Sequence, residues 1–352
     1  MKIGFLVKTM DFKTGGGRYA FDIVHTLRNR GHEVLVLKED IDQSEGISVI
    51  RRGFRMFTCI IEVRNYFTDC DVIHAIDGYP FGVIGWLVNR KLKKKLVVSA
   101  LGTYAVAPLY RWQTSWLLKK AYENAHKVIS ISKFTKNKIL EKIRLDNIVV
   151  INPGIKLEEK MSKKIEPRAR FILGVGALKE RKGYHIALEA FAQISKEFPD
   201  LRYVIVADPD KAYRSILDDI VRRNNLDGRV DFLSFISEEK LVELYLNATL
   251  FTLTSINTAG IHFEGFGIVY LEAARFGLPV IGTFDTGGED AINNGKNGIL
   301  VHQNNIEETV EAMRKILIDK SLLEKMSEES LEWSKLNSVD REVDKILEIY
   351  NS

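Results

Sequence analysis

Short apolar runs bounded by turn residues alternate with helix-length stretches in two successive series along the 352 residues. In the first series, strands are predicted at Lys2–Val7, Glu33–Leu37, Val72–Ala75, Leu96–Ser99, Lys127–Ile131 and Ile148–Ile151, with helices at Tyr19–Asn29, Phe81–Asn89 and Ser115–Asn124. In the second, strands are predicted at Arg170–Val175, Arg202–Ala207, Val230–Leu233, Leu250–Leu253, Pro279–Gly282 and Gly298–Val301. Its helices are Tyr184–Lys196, Tyr213–Asn224, Glu238–Asn247, Ile268–Phe276 and Ile306–Leu317, and two more close the chain around Leu331–Trp333 and Ile346–Tyr350. Parallel strands need helical crossovers between them, so strands spaced by such helices imply βαβ units and parallel sheets. Two series imply two Rossmann-like, doubly wound α/β domains, with ligands beyond the carboxyl ends of the strands.

The boundary follows from a turn at Asn152-Pro153-Gly154 and a charged stretch, Lys156–Arg170, with Pro167 before the next apolar run. Domains are therefore predicted at 1–165 and 166–332, followed by a C-terminal helical segment, 333–352. A composition 45% hydrophobic and 28% charged is that of a soluble globular chain. The opening Met1–Met10 has too short an apolar run for a signal peptide, and Cys59 and Cys70 form no C-x-x-C pair. A cytoplasmic protein is expected, peripheral at the inner face of the membrane if it meets one.

Charge is split between the halves. Residues 1–165 carry 29 Lys/Arg against 16 Asp/Glu, a net of +13, and the remainder carries 22 against 31, a net of −9. The first half is thus expected to face something anionic, either a membrane surface or a phosphate-bearing acceptor, or simply to be a solvated basic face. No nucleic-acid module accompanies the charge, so nucleic acid is not an expected partner.

The segment Glu264-Gly265-Phe266-Gly267-Ile268 through Glu272 carries the chemistry. Its glycines let backbone N–H groups approach a ligand where a helix starts, and a helix N-terminus suits a phosphate. Glu264 precedes the helix and Glu272 lies within it, about 80° apart were the helix continuous. Two acceptors flanking an anion site suit a molecule with hydroxyls on both sides of a diphosphate, which describes a nucleotide sugar.

This segment resembles the donor site of glycosyltransferase family 4, retaining enzymes of the GT-B fold with two Rossmann-like domains facing across a cleft. The resemblance implies that Glu264 contacts sugar hydroxyls, that Glu272 contacts the ribose, and that Gly265, Phe266, Gly267 and Ile268 line the donor. It also implies that the terminal helix crosses back onto the first domain. The run Thr14-Gly15-Gly16-Gly17 resembles the family's opening glycine loop and places Gly16 at the donor and Gly17 at the acceptor. With Lys13 it is also similar to the K-T-G-G of glycogen and starch synthases.

Gly174 to Gly183 opens the second domain, and its Lys182 matches the family's diphosphate lysine. The usual arginine position is Ala177, so Lys179 or Arg181 supplies the second charge, with Arg181 chosen. Thr254 and Ser255, after a strand, are candidate phosphate donors, and Val230–Ile236 is where relatives hold the base. Leu101 stands where the family carries a histidine. It keeps the backbone carbonyl expected near the reacting carbon and loses the imidazole that reaches the sugar O6. That replacement suits a donor without a demanding 6-hydroxyl, or leaves O6 to another side chain or a water. Acceptor contacts are expected at Gly17, His74, Asp77 and Tyr104.

Asp208-Pro209-Asp210 mimics a D-x-D metal motif, but its place in a second βα series reads as a strand-to-helix turn. No catalytic metal and no cofactor are expected. Tyr110, Trp112 and Trp116, ahead of Lys119 and Lys120, read as core packing, with a membrane-surface helix as the alternative. The implied activity is transfer of a sugar from a UDP- or GDP-sugar to a glycan, lipid-linked or phosphate-bearing acceptor. A sugar-nucleotide-binding protein without transfer activity, or a glycogen-synthase-like glucosyltransferase, are the alternatives.

Overall fold

The structure is a computed structural model that describes residues 1–11, 14–39, 41–157, 170–207, 210–259 and 261–352. The predicted boundary at 165 falls outside the described residues, as do Lys13, Pro167, Asp208 and Pro209. The chain divides into two compact units, Met1–Lys156 with Val339–Ser352, and Leu157–Ser338.

The first unit contains strands β1 (Lys2–Val7), β2 (Glu33–Lys38), β3 (Ile47–Ser48), β4 (Val72–Ile76), β5 (Lys95–Ala100), β6 (Lys127–Ser130) and β7 (Ile148–Val150). They form one parallel sheet in the order β3-β2-β1-β4-β5-β6-β7. Its helices are α1 (Gly15–Asn29), α2 (Ile60–Tyr66), α3 (Val83–Leu92), α4 (Thr103–Val106), α5 (Trp112–Glu123) and α6 (Lys133–Leu140). The order reverses direction at β1, so β1 and β4 diverge at a switch point that leaves room above their carboxyl ends. Two-residue β3 and seven-residue α2 were not predicted, because neither is long enough to show a period.

The second unit pairs β8 (Phe171–Val175), β9 (Arg202–Val206), β10 (Val230–Leu233), β11 (Leu250–Thr252), β12 (Val280–Thr283) and β13 (Gly298–Val301) in the parallel order β10-β9-β8-β11-β12-β13. Its helices are α7 (Tyr184–Ile194), α8 (Lys211–Arg223), α9 (Glu238–Asn247), α10 (Ile268–Arg275), α11 (Gly288–Ala291), α12 (Ile306–Ile318) and α13 (Lys320–Leu336). Phe171, Ile172, Leu173 and Val175 on β8 are all buried, as expected for a strand covered on both faces.

The last helix, α14 (Val339–Asn351), belongs to the first unit. It begins at 339 and not at 333, because α13 stays with the second unit: Trp333 Nε1 donates to the Ala291 carbonyl at 2.8 Å. Val339, Val343, Ile346 and Tyr350 of α14 are buried, one helical face with a spacing of three to four residues. Arg30 at the end of α1 reaches Asp340 at 3.2 Å and also pairs with Asp344.

Two local expectations are corrected. The glycines of Thr14–Gly17 are the first turn of α1 and not a loop before it. Thr14 caps the helix by accepting the Gly17 N–H at 3.2 Å, which supplies one of the partners that first-turn amides lack. Trp112 and Trp116 do not pack in the core; they are 85% and 62% exposed.

Candidate active site

In the second unit, Arg181, Lys182, Ser255 and Glu264 converge on one point. Lys182 is the last residue of a single 3-10 turn, Glu180–Lys182, between β8 and α7. Glu264 lies four residues before α10, in the loop that the sequence assigned to it. Lys182 Nζ donates to Glu264 Oε2, and Arg181 Nη1 and Ser255 Oγ approach the same oxygen at 3.5 Å. Both Lys182 and Glu264 are buried. Burial alone pushes the Glu264 carboxyl up, but the Lys182 ammonium and the Arg181 guanidinium outweigh it and hold the group below its usual range. Glu264 is therefore a buried carboxylate kept ionised by its neighbours.

Local backbone geometry fixes this cluster. Gly183 has φ +67, and a Cβ there would lie 1.7 Å from the Thr254 carbonyl oxygen. Only glycine lets the Lys182 turn press against the end of β11. Thr254 Oγ1 donates to the Gly183 carbonyl at 2.7 Å, so its hydroxyl closes this turn and is not a free phosphate donor. Gly267, with φ +80, caps the start of α10, where a Cβ would lie 2.5 Å from the Tyr270 ring. Tyr270 is buried and its hydroxyl donates to Leu253 at 2.6 Å, which ties α10 to the end of β11. Gly265 and Phe266 are buried in the same loop, and Ile268 opens the helix half-buried. The first amides of α10 have no partner within the helix, so they and the dipole favour negative charge there.

Glu272, half-buried on α10, accepts a hydrogen bond from Tyr245 on α9 at 3.2 Å. A cavity of about 80 Å³ opens beyond the carboxyl ends of β8, β9 and β10, lined by Leu178, Ile205, Arg214 and Phe232 among others. It takes in Phe232–Ser234 from the stretch expected at the base, and the Arg214 guanidinium stacks 3.7 Å from the Phe232 ring centre. Asp210, the described part of the D-x-D look-alike, caps α8 by accepting the Tyr213 N–H at 3.1 Å. Ser255 was only a phosphate candidate in the sequence, and Tyr245, Tyr270 and Arg214 were not singled out. Helical tyrosines and arginines look like ordinary packing until the fold brings them to a ligand site.

In the first unit, Gly16 and Leu101 come together: a Cβ on Gly16 would sit 3.9 Å from the Leu101 side chain. Leu101 is half-buried, and Tyr104, in the first turn of α4, is 68% exposed. Gly17 is buried, with room for no side chain against the Asp11 carbonyl. Asp77 ends β4 with φ +87, donates its N–H to Ser99 O at 2.8 Å and accepts the Gly78 N–H at 2.9 Å. Burial pushes its carboxyl up to about 7, against the pull of the Gly78 and Leu101 backbone.

His74 departs from its expected acceptor role. It is fully buried, with Nδ1 2.5 Å from the Tyr350 hydroxyl and Nε2 2.8 Å from Ser99 Oγ. Both ring nitrogens are committed within the fold, and burial lowers its pKa to about 3. A neutral histidine holding α14 to β4 and β5 is a packing residue.

Comparison with known proteins agrees with this fold. Residues 156–333 match glycosyl transferases group 1, and residues 13–159 match glycosyltransferase family 4. An uncharacterized glycosyltransferase of Methanocaldococcus jannaschii is 27% identical over 87% of this chain and 81% of its own length. A D-inositol 3-phosphate glycosyltransferase of Corynebacterium aurimucosum is 28% identical over 73% of this chain and 65% of its own. Among solved structures, Anabaena HepE in complex with UDP and glucose superimposes with a TM-score of 0.81, at 21% identity and over 100% of both chains. With two parallel Rossmann-like sheets and matches that run from residue 13 to residue 333, the chain belongs to glycosyltransferase family 4 of the group 1 glycosyl transferases and is an enzyme of the GT-B fold.

Proposed function

We propose that this glycosyltransferase takes its sugar from a UDP- or GDP-sugar held on the second unit and transfers it with retention of anomeric configuration. One observation carries the reading: the buried Glu264 carboxylate gathers Lys182, Arg181 and Ser255 on a single oxygen at the foot of α10. We assign Oε1 of Glu264 to the sugar hydroxyls, Lys182, Arg181 and the first amides of α10 to the diphosphate, and Glu272 to the ribose. The UDP and glucose bound by Anabaena HepE support a nucleotide-sugar donor of this kind.

In the step proposed, the acceptor hydroxyl oxygen bonds to the anomeric carbon on the face that the leaving group departs. The bond from that carbon to the β-phosphate oxygen breaks, and the acceptor proton passes to the departing phosphate. Negative charge grows on the diphosphate, where Lys182 and the α10 amides are already oriented to stabilise it. Cationic help comes from side chains in this scheme, so EDTA should leave the rate unchanged. The basic first unit suits an acceptor carrying phosphate, as the name of the Corynebacterium relative illustrates for that protein.

Lys182→Ala is the decisive test. It should weaken a nucleoside diphosphate at least tenfold while leaving the bare nucleoside nearly unchanged, measured by calorimetry with UDP and GDP against uridine and guanosine. Equal losses for both would remove Lys182 from the diphosphate site.

A further inference from the structure

Helices α2, α3 and α5 lie side by side on one face of the first unit's sheet. Val63, Val88 and Leu118 turn inward from them and are buried. The opposite faces of these helices carry large apolar side chains in water. In the 3-10 turn Gly53–Cys59 and the α2 that follows, Phe54 is 93% exposed, Phe57 46% and Ile61 62%, at helical spacing. On α5, Trp112 and Trp116 lie one turn apart and are exposed, and Trp116 meets the half-buried Trp86 of α3 edge-on, with ring centres 6.3 Å apart. Three of the four tryptophans of the chain thus share one surface. A solvated monomer rarely gathers such side chains without a partner for them.

The same surface is basic. Residues 51–66 hold four arginines against the single acid Glu62, and residues 83–93 hold Arg90, Lys91 and Lys93 with no acid. Arg111 precedes Trp112, and Arg51, Arg55, Arg90, Lys91 and Arg111 are all exposed. Arg52 pairs with Glu39 and Lys120 with Glu123, whereas no ion pair engages those five among the described residues. A second copy is a poor occupant, because a two-fold contact would press this charge against itself. An anionic bilayer meets both demands, since tryptophan rings favour the headgroup boundary and arginines the phosphates above it. Among the described residues no helix is long and apolar enough to cross a membrane, so the contact is one of lying on the surface.

We propose that the outer face of α2, α3 and α5 docks the enzyme on an anionic lipid surface. The test is sedimentation of the full chain with vesicles of phosphatidylcholine alone or with about one third phosphatidylglycerol. The chain should pellet with the anionic vesicles only, with tryptophan emission shifting to shorter wavelength. Binding should fall at least tenfold between about 0.1 M and about 0.5 M salt, as screening predicts. The variants Phe57→Ser/Trp112→Ser/Trp116→Ser and Arg51→Glu/Arg55→Glu/Arg111→Glu should each lose at least tenfold. Both should keep the rise in melting temperature given by UDP or GDP, which reports folding and the donor site separately. Equal binding to both vesicle types, no binding to either, or unchanged binding by both variants overturns the proposal. So does a wild-type dimer, seen by light scattering, that both variants dissolve, since it would assign the face to a second copy.

Discussion

Glu264 is pulled two ways, by burial toward neutrality and by Lys182 and Arg181 toward charge, and the cations prevail. A carboxyl held below its usual value binds protons more weakly folded than unfolded. Its stabilisation is therefore complete above its ordinary value of 4.5 and is lost as pH falls below it. Glu264→Gln should flatten the acid limb of the stability profile below that value, measured by denaturant melts. It should also cut kcat/KM by about one to two decades, the worth of a hydrogen bond to a charged group, while UDP or GDP still binds. Glu342 on α14 behaves oppositely. Burial pushes it up to about 8 against the pull of the Gly154 N–H and Tyr19, and Gly154 donates to it at 2.7 Å. Its stabilisation is complete below 4.5 and declines as pH rises toward about 8. Asp77, raised to about 7 by burial, is only half titrated at that pH and shares in this decline. Between about 7 and about 8 Glu342 supplies the larger share of the slope, up to about 1.4 kcal/mol per pH unit. Glu342→Gln should remove that share, as read from melts across that interval.

At the scale of elements, each unit has a joint that fixes one of its elements. Gly183 lets the Lys182 turn sit against β11, and Gly183→Ala adds a left-handed residue and a collision with the Thr254 backbone. Its cost should exceed the roughly 1 kcal/mol of an ordinary glycine replacement. The variant should melt lower and lose the UDP- or GDP-dependent rise in melting temperature, because Lys182 is displaced with the turn. The second joint is Tyr350 with His74, which fastens α14 to the sheet. Tyr350→Phe leaves a buried imidazole nitrogen without its partner, at about 1–3 kcal/mol. The melting temperature should drop while the nucleotide-dependent rise persists, since the proposed donor cluster around Glu264 lies in the other unit.

At the scale of the molecule, the chain finishes in the unit where it started. The buried face of α14 supplies Val339, Val343, Ile346 and Tyr350, each worth about 1.5–3 kcal/mol when fully buried. A chain stopped after Ser338 should therefore unfold its first unit while residues 157–338 keep their nucleotide-dependent stabilisation. Hydrogen exchange, resolved by peptide, would check this by showing protection lost in β1 to β7 alone.

How far the sequence could be read follows from the range over which each feature is decided. Strands β1 and β13 lie where the apolar runs placed them, because a strand largely buried on both faces writes a continuous signal that no partner can change. Glu264 and the glycines of the α10 loop were legible because local backbone demands restrict residue type at fixed spacing, whereas Lys182 was picked out by its match to the family's motif. The sequence by itself thus determined the parallel α/β units and the segment Glu264–Glu272. The tertiary structure alone decided which side chains meet. It turned His74 from an acceptor residue into a buried bracket for a helix 276 residues away, committed Thr254 to a turn, and set Trp112 and Trp116 in water. Such outcomes depend on which element packs on which, and hydrophobic or hydrogen-bonding capacity carries no record in the sequence of the partner that will satisfy it.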